Sequence, residues 1–293
     1  MPHTLVERYL ETIKRSLLNE LYPELEAQLL YAVLCIAHGE PLTLEALWSA
    51  RRDDTLAAAI RDARAGGDTL MLRGRDGRGD IVDRPDLRNY AEFAQTMIGR
   101  ARLDHLQHCA QRVIADNVPG DFLEAGVWRG GAGVLLAAVI AAHDVRDRRV
   151  WLADSFAGVP PPTLAEDAGL DLSADVLPVL SVDEGTVRAL FERYDLADDK
   201  ICFIRGWFRD SLPDCGVEQL ALLRVDGDLY ESTRDALVHL YPKVVDGGYV
   251  IIDDYGILEP CRRAVEEFRQ AHGVGETLHV IDGHGVYWRR GAQ

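Results

Sequence analysis

The spacing of apolar positions changes near residue 120 of the chain. Before that point apolar residues recur at helical spacing, as at Leu5, Tyr9 and Ile13. This spacing predicts amphipathic helices, and proline and glycine interrupt them. The predicted elements of this part are helices over 5–21, 24–38, 43–49 and 55–65, a hairpin over 69–82, and a helix beyond Tyr90 that carries Thr96, Met97 and Val113.

Beyond Pro119 and Gly120, short apolar runs of strand type alternate with helical segments. Strands are expected over 121–125, 150–153, 201–204, 221–225 and 249–252, with helices over 131–142, 186–194 and 232–241. After a last helix over 261–271, two short runs flank Asp282-Gly-His-Gly285, a turn signal for an antiparallel hairpin. The alternation predicts an α/β protein with a doubly wound, Rossmann-like parallel sheet that ends in this hairpin. We place the domain boundary between 1–89 and 90–293.

Composition narrows the choice of partners. The 293 residues are 47% hydrophobic, which can fill a core, and the formal net charge of −16 disfavours nucleic acid and anionic membranes. The N-terminal helices and hairpin have the outline of a winged helix, but their arginines are interleaved with aspartates, which favours a lid, dimer or substrate element over a DNA reader. The five cysteines are scattered, without zinc spacing. With no signal-peptide pattern at the N-terminus and no long apolar run, we expect a cytoplasmic protein.

A glycine-rich turn follows the first strand of the sheet, from Glu124 to Gly133. Its spacing, with Gly126 and Gly130, departs from GxGxxG, which disfavours NAD and FAD. Glu124 suits a cationic ligand instead. Asp154 ends the second strand, where Rossmann-like folds place an acid on ribose hydroxyls. Its alternative role is a helix cap.

Two acidic pairs follow later strands: Asp226 with Asp228, and Asp253 with Asp254. Carboxyl ends of parallel strands meet at one edge, and a carboxylate cluster there suits a hard cation such as Mg²⁺ or Mn²⁺. We expect Asp226, Asp253 and Asp254 to be metal ligands, which leaves Asp228 to take a proton. A helix cap at Asp228 and a solvated turn at 253–254 are the alternatives.

Seven motifs together carry a resemblance to a known family. They are Met97-Ile-Gly99, Arg102-Leu-Asp-His-Leu-Gln107, Pro119 to Gly131, Asp154-Ser-Phe156, Gly206-Trp-Phe208, Asp226-Gly-Asp-Leu-Tyr230 and Gly247 to Tyr255. In this order they resemble the macrocin O-methyltransferase family, with the match spanning about 90–289. The terminal hairpin is also what distinguishes a class I methyltransferase sheet from ordinary dinucleotide folds. The N-terminal insert over 24–84 departs from the family pattern.

The resemblance implies an enzyme that uses S-adenosylmethionine and Mg²⁺ to methylate a hydroxyl, expected on a sugar of a glycosylated natural product. It implies metal ligands at Asp226, Asp253 and Asp254, and a base at Asp228. Cofactor contacts are expected at Thr96, Met97, Glu124, Gly126, Gly130, Asp154, Ser155, Phe156, Gly206, Trp207 and Asp226. Trp207 and Phe208 are equally compatible with a place in the core. The expected partners are a small hydroxylated acceptor and further copies of the chain, with no nucleic acid and no membrane. The alternatives are a catechol-type O-methyltransferase and a regulatory protein that binds the cofactor without turnover.

Overall fold

The computed structural model describes residues 4–51, 73–75, 81–83 and 93–291. The chain forms two compact units: one comprises Met1–Leu10 with Arg102–Gln293, and the other comprises Glu11–Ala101. None of the helices within the described ranges is long and apolar enough to span a bilayer.

The N-terminal part contains α1 (Leu5–Leu17), α2 (Pro23–His38) and α3 (Leu44–Arg51). Strands β1 (Arg73–Arg75) and β2 (Ile81–Asp83) pair antiparallel. Three of the predicted helices and the hairpin are therefore confirmed, although α1 is shorter than predicted. The predicted helix over 55–65 lies outside the described residues.

The large sheet has seven strands in the order β5-β4-β3-β6-β7-β9-β8. The strands are β3 (Asp121–Ala125), β4 (Val150–Asp154), β5 (Ile201–Arg205), β6 (Leu220–Val225), β7 (Val244–Ile252), β8 (His279–Val280) and β9 (Val286–Arg289). β3 to β7 are parallel, and β9 runs antiparallel to both β7 and β8. The predicted doubly wound sheet with a closing hairpin is confirmed.

The helices of this part are α4 (Gly99–Ala115), α5 (Gly131–Ala142), α6 (Glu184–Arg193), α7 (Phe208–Ser211), α8 (Tyr230–Leu240) and α9 (Glu259–Ala271). α4 precedes β3 and begins at Gly99, so the prediction that this helix carries Thr96 and Met97 was wrong. α5 contacts α6, and α8 contacts α9. α5 is almost entirely buried, as its composition of alanine, valine, leucine and isoleucine requires. Trp288 of β9 is fully buried among apolar residues of β6, β7 and α9.

The predicted start of β7 was wrong by several residues. The strand begins at Val244 instead of residue 249, and its pairing with β6 shifts register between Leu220 and Leu222. Gly247 adopts a left-handed backbone at φ +84°, and its N–H donates to Arg290 O at 2.8 Å. Glycine permits this irregularity within a strand, whereas a sequence pattern marks it as a break.

The strand order reverses direction between β3 and β6. From β3 the chain adds β4 and then β5 on one side, and from β6 it adds β7 on the other. In open α/β sheets the crevice at this reversal, outside the carboxyl ends of the strands, is where ligands bind. The glycine-rich turn and both acidic pairs follow these strands.

Candidate active site

Backbone pairing brings the ends of three neighbouring strands together. Ala125 of β3 is opposite Val225 of β6, which is opposite Ile252 of β7. The N–H of Asp226 donates to Ala125 O at 2.8 Å, and the N–H of Asp253 donates to Val225 O at 2.9 Å. The acidic pairs therefore begin side by side, next to the glycine-rich turn.

Three aspartates form a carboxylate cluster at this edge: Asp226, Asp228 and Asp254. One oxygen of each lies within 4.8 Å of the others. Asp254 is buried, whereas Asp226 and Asp228 are partly exposed. The backbone N–H of Asp228 donates to Asp254 Oδ2 at 3.2 Å.

Crowded negative charge shifts the acid–base behaviour of the cluster. Desolvation, and then the charges of Asp226 and Asp253, raise the pKa of Asp228 to about 7. The pKa of Asp254 lies well above its ordinary value, through burial first and then the charges of Asp226 and Asp228. The pKa of Asp226 is also raised by desolvation, although Arg224 opposes the shift. Burial and mutual repulsion therefore favour the protonated forms of these carboxyls more than in an isolated aspartate.

Asp253, the fourth acid at this edge, is paired with arginines. Its two oxygens form ion pairs with Arg102 Nη1 and, at 2.8 Å, with Arg224 Nη2. Arg224 Nη2 lies 2.8 Å from both Asp253 Oδ1 and Asp226 Oδ2, so one guanidinium nitrogen joins Asp253 to the edge of the cluster. Of the three expected metal ligands, the cluster contains Asp226 and Asp254, and its third member is Asp228; the ligand roles of Asp226, Asp253 and Asp254 stay predictions.

Arg224 is a site residue that the sequence analysis did not assign. It is almost completely buried in β6, where Nη1 donates to Glu124 Oε1 at 2.7 Å and Nη2 donates to Asp226 Oδ2 at 2.8 Å. Burial raises the pKa of Glu124 to about 8, although Arg224 lowers it. The available signal was a charged residue inside the apolar run Leu222-Leu-Arg-Val225. Arg102, the second partner of Asp253, was noted only as part of a motif.

The glycine-rich turn allows close approach of the backbone. Gly126 has φ +92°, and a Cβ added there would lie 1.8 Å from the carbonyl oxygen of Asp226. Gly130 has φ +90° and precedes α5, whose N-terminus has no side-chain cap. Glu124 Oε2 is buried and, within the described part of the chain, has no hydrogen-bond partner. The turn leads into the start of α5, where a ligand can bind to free backbone N–H groups.

Asp154 ties the end of β4 to that turn. Its Oδ2 accepts a hydrogen bond from the Val127 N–H at 2.7 Å, and its Oδ1 accepts one from the Phe156 N–H at 2.7 Å. Burial raises the pKa of Asp154, and these backbone bonds oppose the rise. The carboxylate therefore organises the turn, and its contact with a ribose stays a prediction. Ser155 Oγ donates to Gly158 O at 2.7 Å, which shapes the loop that follows.

The remaining predicted residues are placed as follows. The Gly206 N–H donates to Asp154 O at 2.9 Å, so the end of β5 lies beside the end of β4. Trp207 precedes α7 and is partly exposed, whereas Phe208 packs against the apolar core. Thr96 and Met97 belong to the unit formed by Glu11–Ala101, and their contact with a cofactor stays a prediction.

Known proteins share both the sequence and the fold. The family model of the macrocin O-methyltransferases (TylF) matches residues 6–290. Mycinamicin III 3''-O-methyltransferase of Micromonospora griseorubida is 40% identical over 295 residues, which cover 99% of this chain and 99% of that protein. The 8-demethyl-8-(2,3-dimethoxy-alpha-L-rhamnosyl)-tetracenomycin-C 4'-O-methyltransferase of Streptomyces olivaceus is 47% identical over 220 residues, which cover 74% of this chain and 84% of that protein.

A solved structure, that of the O-methyltransferase NovP, has a TM-score of 0.75 and 38% identity, and the match covers 97% of this chain and 99% of NovP. The fold is therefore that of a class I methyltransferase, which implies S-adenosylmethionine as the methyl donor. Together with the family match over residues 6–290, this shows that the chain belongs to the macrocin O-methyltransferase family and is an O-methyltransferase.

Proposed function

We propose that the chain transfers the methyl group of S-adenosylmethionine to a sugar hydroxyl of a glycosylated antibiotic, with Mg²⁺ bound at the strand ends and Asp228 as the base. The observation that carries this proposal is the convergence of Asp226, Asp228 and Asp254 beside the glycine-rich turn. Membership of the family supports the proposed reaction, and the carboxylate cluster supports the proposed cation site and proton acceptor.

The cluster suits a hard divalent cation. Its side chains offer only carboxylate oxygens, and Mg²⁺ and Mn²⁺ prefer such ligands over nitrogen or sulfur. Within the cluster, Arg224 forms an ion pair with Asp226 alone. The mutual repulsion of the three acids is therefore only partly balanced. Asp226 and Asp254 would hold the ion. Asp253 is a weaker candidate because both of its oxygens already face arginines.

The glycine-rich turn suits the cofactor. Gly126 and Gly130 leave the backbone uncovered, and Glu124 presents a buried oxygen without a hydrogen-bond partner among the described residues. A buried polar atom of this kind gains from a cationic ligand group. Glu124 and the turn that Asp154 holds would therefore bind the cofactor, with Ser155, Phe156, Gly206 and Trp207 on the adjoining strand ends.

When bound, S-adenosylmethionine supplies an activated methyl group, and Mg²⁺ supplies positive charge that lowers the pKa of a nearby hydroxyl. The protein has to orient the acceptor and remove its proton. Asp228 is suited to removing the proton because its carboxylate belongs to the cluster but carries no ion pair with an arginine in the described chain. The neighbouring Asp226, by contrast, is paired with Arg224.

The acceptor is proposed from the activities of the relatives. One acts at a 3''-hydroxyl of mycinamicin III, and the other at a 4'-hydroxyl of a rhamnosyl tetracenomycin. We infer an acceptor of the same chemical class, a sugar of a glycosylated natural product. We further propose that the N-terminal part over 1–89 is a lid, dimer or substrate element, that the part over 90–293 is catalytic, and that the protein is a homo-oligomer.

The test is a panel of glycosylated natural products and simple catechols, each incubated with the protein, S-adenosylmethionine and Mg²⁺. Mass spectrometry should detect the gain of one methyl group on a glycosylated compound. A gain on catechols alone would contradict the sugar assignment.

The metal is tested in the same assay. Excess EDTA after dialysis should abolish methylation, and added Mg²⁺ should restore it. Asp226→Asn and Asp254→Asn should weaken Mg²⁺ binding. The matched control is Asp246→Asn, because Asp246 lies on β7 but its side chain is 91% exposed. Full turnover in EDTA would rule out the metal requirement.

A further inference from the structure

Asp167 is a fully buried carboxylate in the long segment between β4 and α6. Its Oδ1 accepts a hydrogen bond from the Tyr230 N–H at 2.7 Å, and its Oδ2 accepts one from the Glu231 N–H at 3.2 Å. Among the described residues, no arginine or lysine forms an ion pair with it. Two backbone donors therefore satisfy this buried charge.

These donors belong to the first two residues of α8. The first N–H groups of a helix have no partner within the helix, and a carboxylate there also interacts favourably with the helix dipole. Leu229, which precedes α8, has no side-chain acceptor, and the helix has no local side-chain cap. Asp167 thus supplies, from 63 residues away in the sequence, the cap that the local sequence lacks.

α8 begins two residues after Asp228. Asp228 has φ +55°, a left-handed backbone that is uncommon for residues other than glycine and that aspartate adopts more readily than most. On one side, its N–H is bonded to Asp254 Oδ2. On the other side, the chain is held where Asp167 binds the start of α8.

The segment that carries Asp167 is itself attached to the same region. Thr163 Oγ1 donates to Glu231 Oε2 at 2.6 Å, and Glu166 forms an ion pair with Arg263 of α9 at 3.4 Å. Asp167 ends a short 3₁₀ turn, Ala165–Asp167, directly after these two contacts. The segment is thus attached to α8 and α9 at points next to the Asp167 carboxylate.

We propose that Asp167 is a positioning residue, which holds Asp228 in place by capping α8. The inference rests on the proposed role of Asp228 as the base. It assigns a function in the methyl-transfer site to a residue of the loop, and that residue need not touch the acceptor or the cofactor.

The first test measures the backbone directly, without an acceptor. Amide hydrogen exchange by NMR should show the Asp228 N–H exchanging more than about tenfold faster in Asp167→Ala, because its conformation is no longer held. Asp167→Asn keeps the volume of the side chain and one acceptor oxygen, so the Asp228 N–H should be partly protected from exchange in this variant. It also provides a measurement if the alanine variant folds poorly.

The matched control is Asp183→Ala. Asp183 caps α6, where its Oδ1 accepts a hydrogen bond from the Thr186 N–H at 2.9 Å. Its alanine variant should accelerate amide exchange at the start of α6 but not at Asp228. The inference is overturned if Asp167→Ala accelerates exchange at Tyr230 and Glu231 but leaves Asp228 unchanged. A local cap without positioning would give that result.

The second test is a double-mutant cycle on methyl transfer to the acceptor that the panel identifies. Asp167→Ala should lower kcat on the order of ten- to a hundredfold and leave both KM values within a few-fold. In an Asp228→Asn background it should lower kcat no further than about twofold, because the two residues act through one step. An equal loss in both backgrounds contradicts positioning. A parent-like kcat for Asp228→Asn contradicts the proposed base instead, and amide exchange then decides the positioning on its own.

Discussion

The left-handed backbone of Asp228 turns its carboxylate toward Asp226 and Asp254, where a hydroxyl of the acceptor would lose its proton. The Asp228→Asn variant keeps the shape of the side chain but cannot accept that proton. We expect kcat to fall on the order of 10²- to 10⁴-fold, with cofactor affinity nearly unchanged. Single-turnover kinetics and calorimetric titration with S-adenosylhomocysteine measure both quantities. A methyl-transfer rate within a few-fold of the parent would leave Asp228 without a role in proton transfer.

Arg224 holds together acids from three strands. It pairs with Glu124 of β3, with Asp226 after β6 and with Asp253 after β7, and all three pairs are 2.7 to 2.8 Å long. Removing one partner from a buried ionic network leaves the remaining charges uncompensated, at a cost of about 3–5 kcal/mol. We therefore expect Arg224→Met to lower the free energy of unfolding by about that amount in urea titrations.

Arg148 provides the matched control for that measurement. It is also a buried arginine, but Nη2 donates to a backbone carbonyl, Val118 O, at 2.7 Å. Arg148→Met should cost clearly less, about 1–3 kcal/mol, because it strands a neutral acceptor instead of several carboxylates. Equal losses for the two variants would show that the Arg224 network contributes no more than an ordinary buried hydrogen bond.

At the scale of the elements, the site depends on how closely β3 and β6 approach where they end. A Cβ at Gly126 would meet the backbone of Asp226 at 1.8 Å, so Gly126→Ala must push the two strand ends apart. We expect this variant to lose stability and to bind S-adenosylhomocysteine at least about tenfold more weakly, since the turn and Asp226 shift together.

Gly169→Ala separates the effect of the clash from that of the backbone angle. Gly169 has φ +89°, close to the +92° of Gly126, but nothing lies within 4 Å of its added Cβ. Its alanine variant therefore carries the cost of a left-handed backbone alone, about 1–2 kcal/mol. If the two variants have the same stability and the same affinity for S-adenosylhomocysteine, the contact between Gly126 and Asp226 does not shape the site.

The sequence predicted the elements of the sheet well because each is a short buried apolar run between polar or glycine-containing breaks. The prediction of α5 over 131–142 agrees with the observed Gly131–Ala142. The pattern did not predict the start of β7, because this strand contains glycines and pairs irregularly with β6. Periodicity reports which side of an element is buried, but not where the backbone bulges.

At the scale of the whole molecule, the sequence located the acidic edge of the site but not its internal pairing. Arg224 reaches Glu124 across 100 residues, and Asp167 reaches Tyr230 across 63. Such partners are fixed by the order of strands and by the path of a loop, which a single sequence does not reveal. The pairing of Asp253 with Arg102, 151 residues away, and with Arg224 likewise depends on the three-dimensional path of the chain.

Buried acids should also make the stability of the whole molecule depend on pH. The pKa values of Glu124 and Asp228 are raised to about 8 and about 7, mainly by desolvation, whereas such groups titrate near about 4 in an unfolded chain. Between about pH 4 and pH 8 the folded protein therefore binds more protons than the unfolded chain, so its stability should fall as pH rises through this window. In EDTA, we expect a free energy of unfolding that is lower at pH 8 than at pH 5.5 by a few kcal/mol.

A bound cation should act in the opposite direction, because it stabilises the ionised carboxylates of the folded state. Added Mg²⁺ should therefore raise the unfolding temperature more at pH 8 than at pH 5.5, by mass action on the folded protein alone. In Asp228→Asn the dependence on pH should be weaker, whereas Asp246→Asn, which changes an exposed carboxylate, should behave as the parent does. Thermal unfolding of the three proteins at both pH values, with EDTA and with Mg²⁺, measures these differences. A parent protein that is equally stable at both pH values in EDTA would show that the acids at the strand ends are already compensated by Arg102 and Arg224, and would remove the electrostatic reason for a cation at this site.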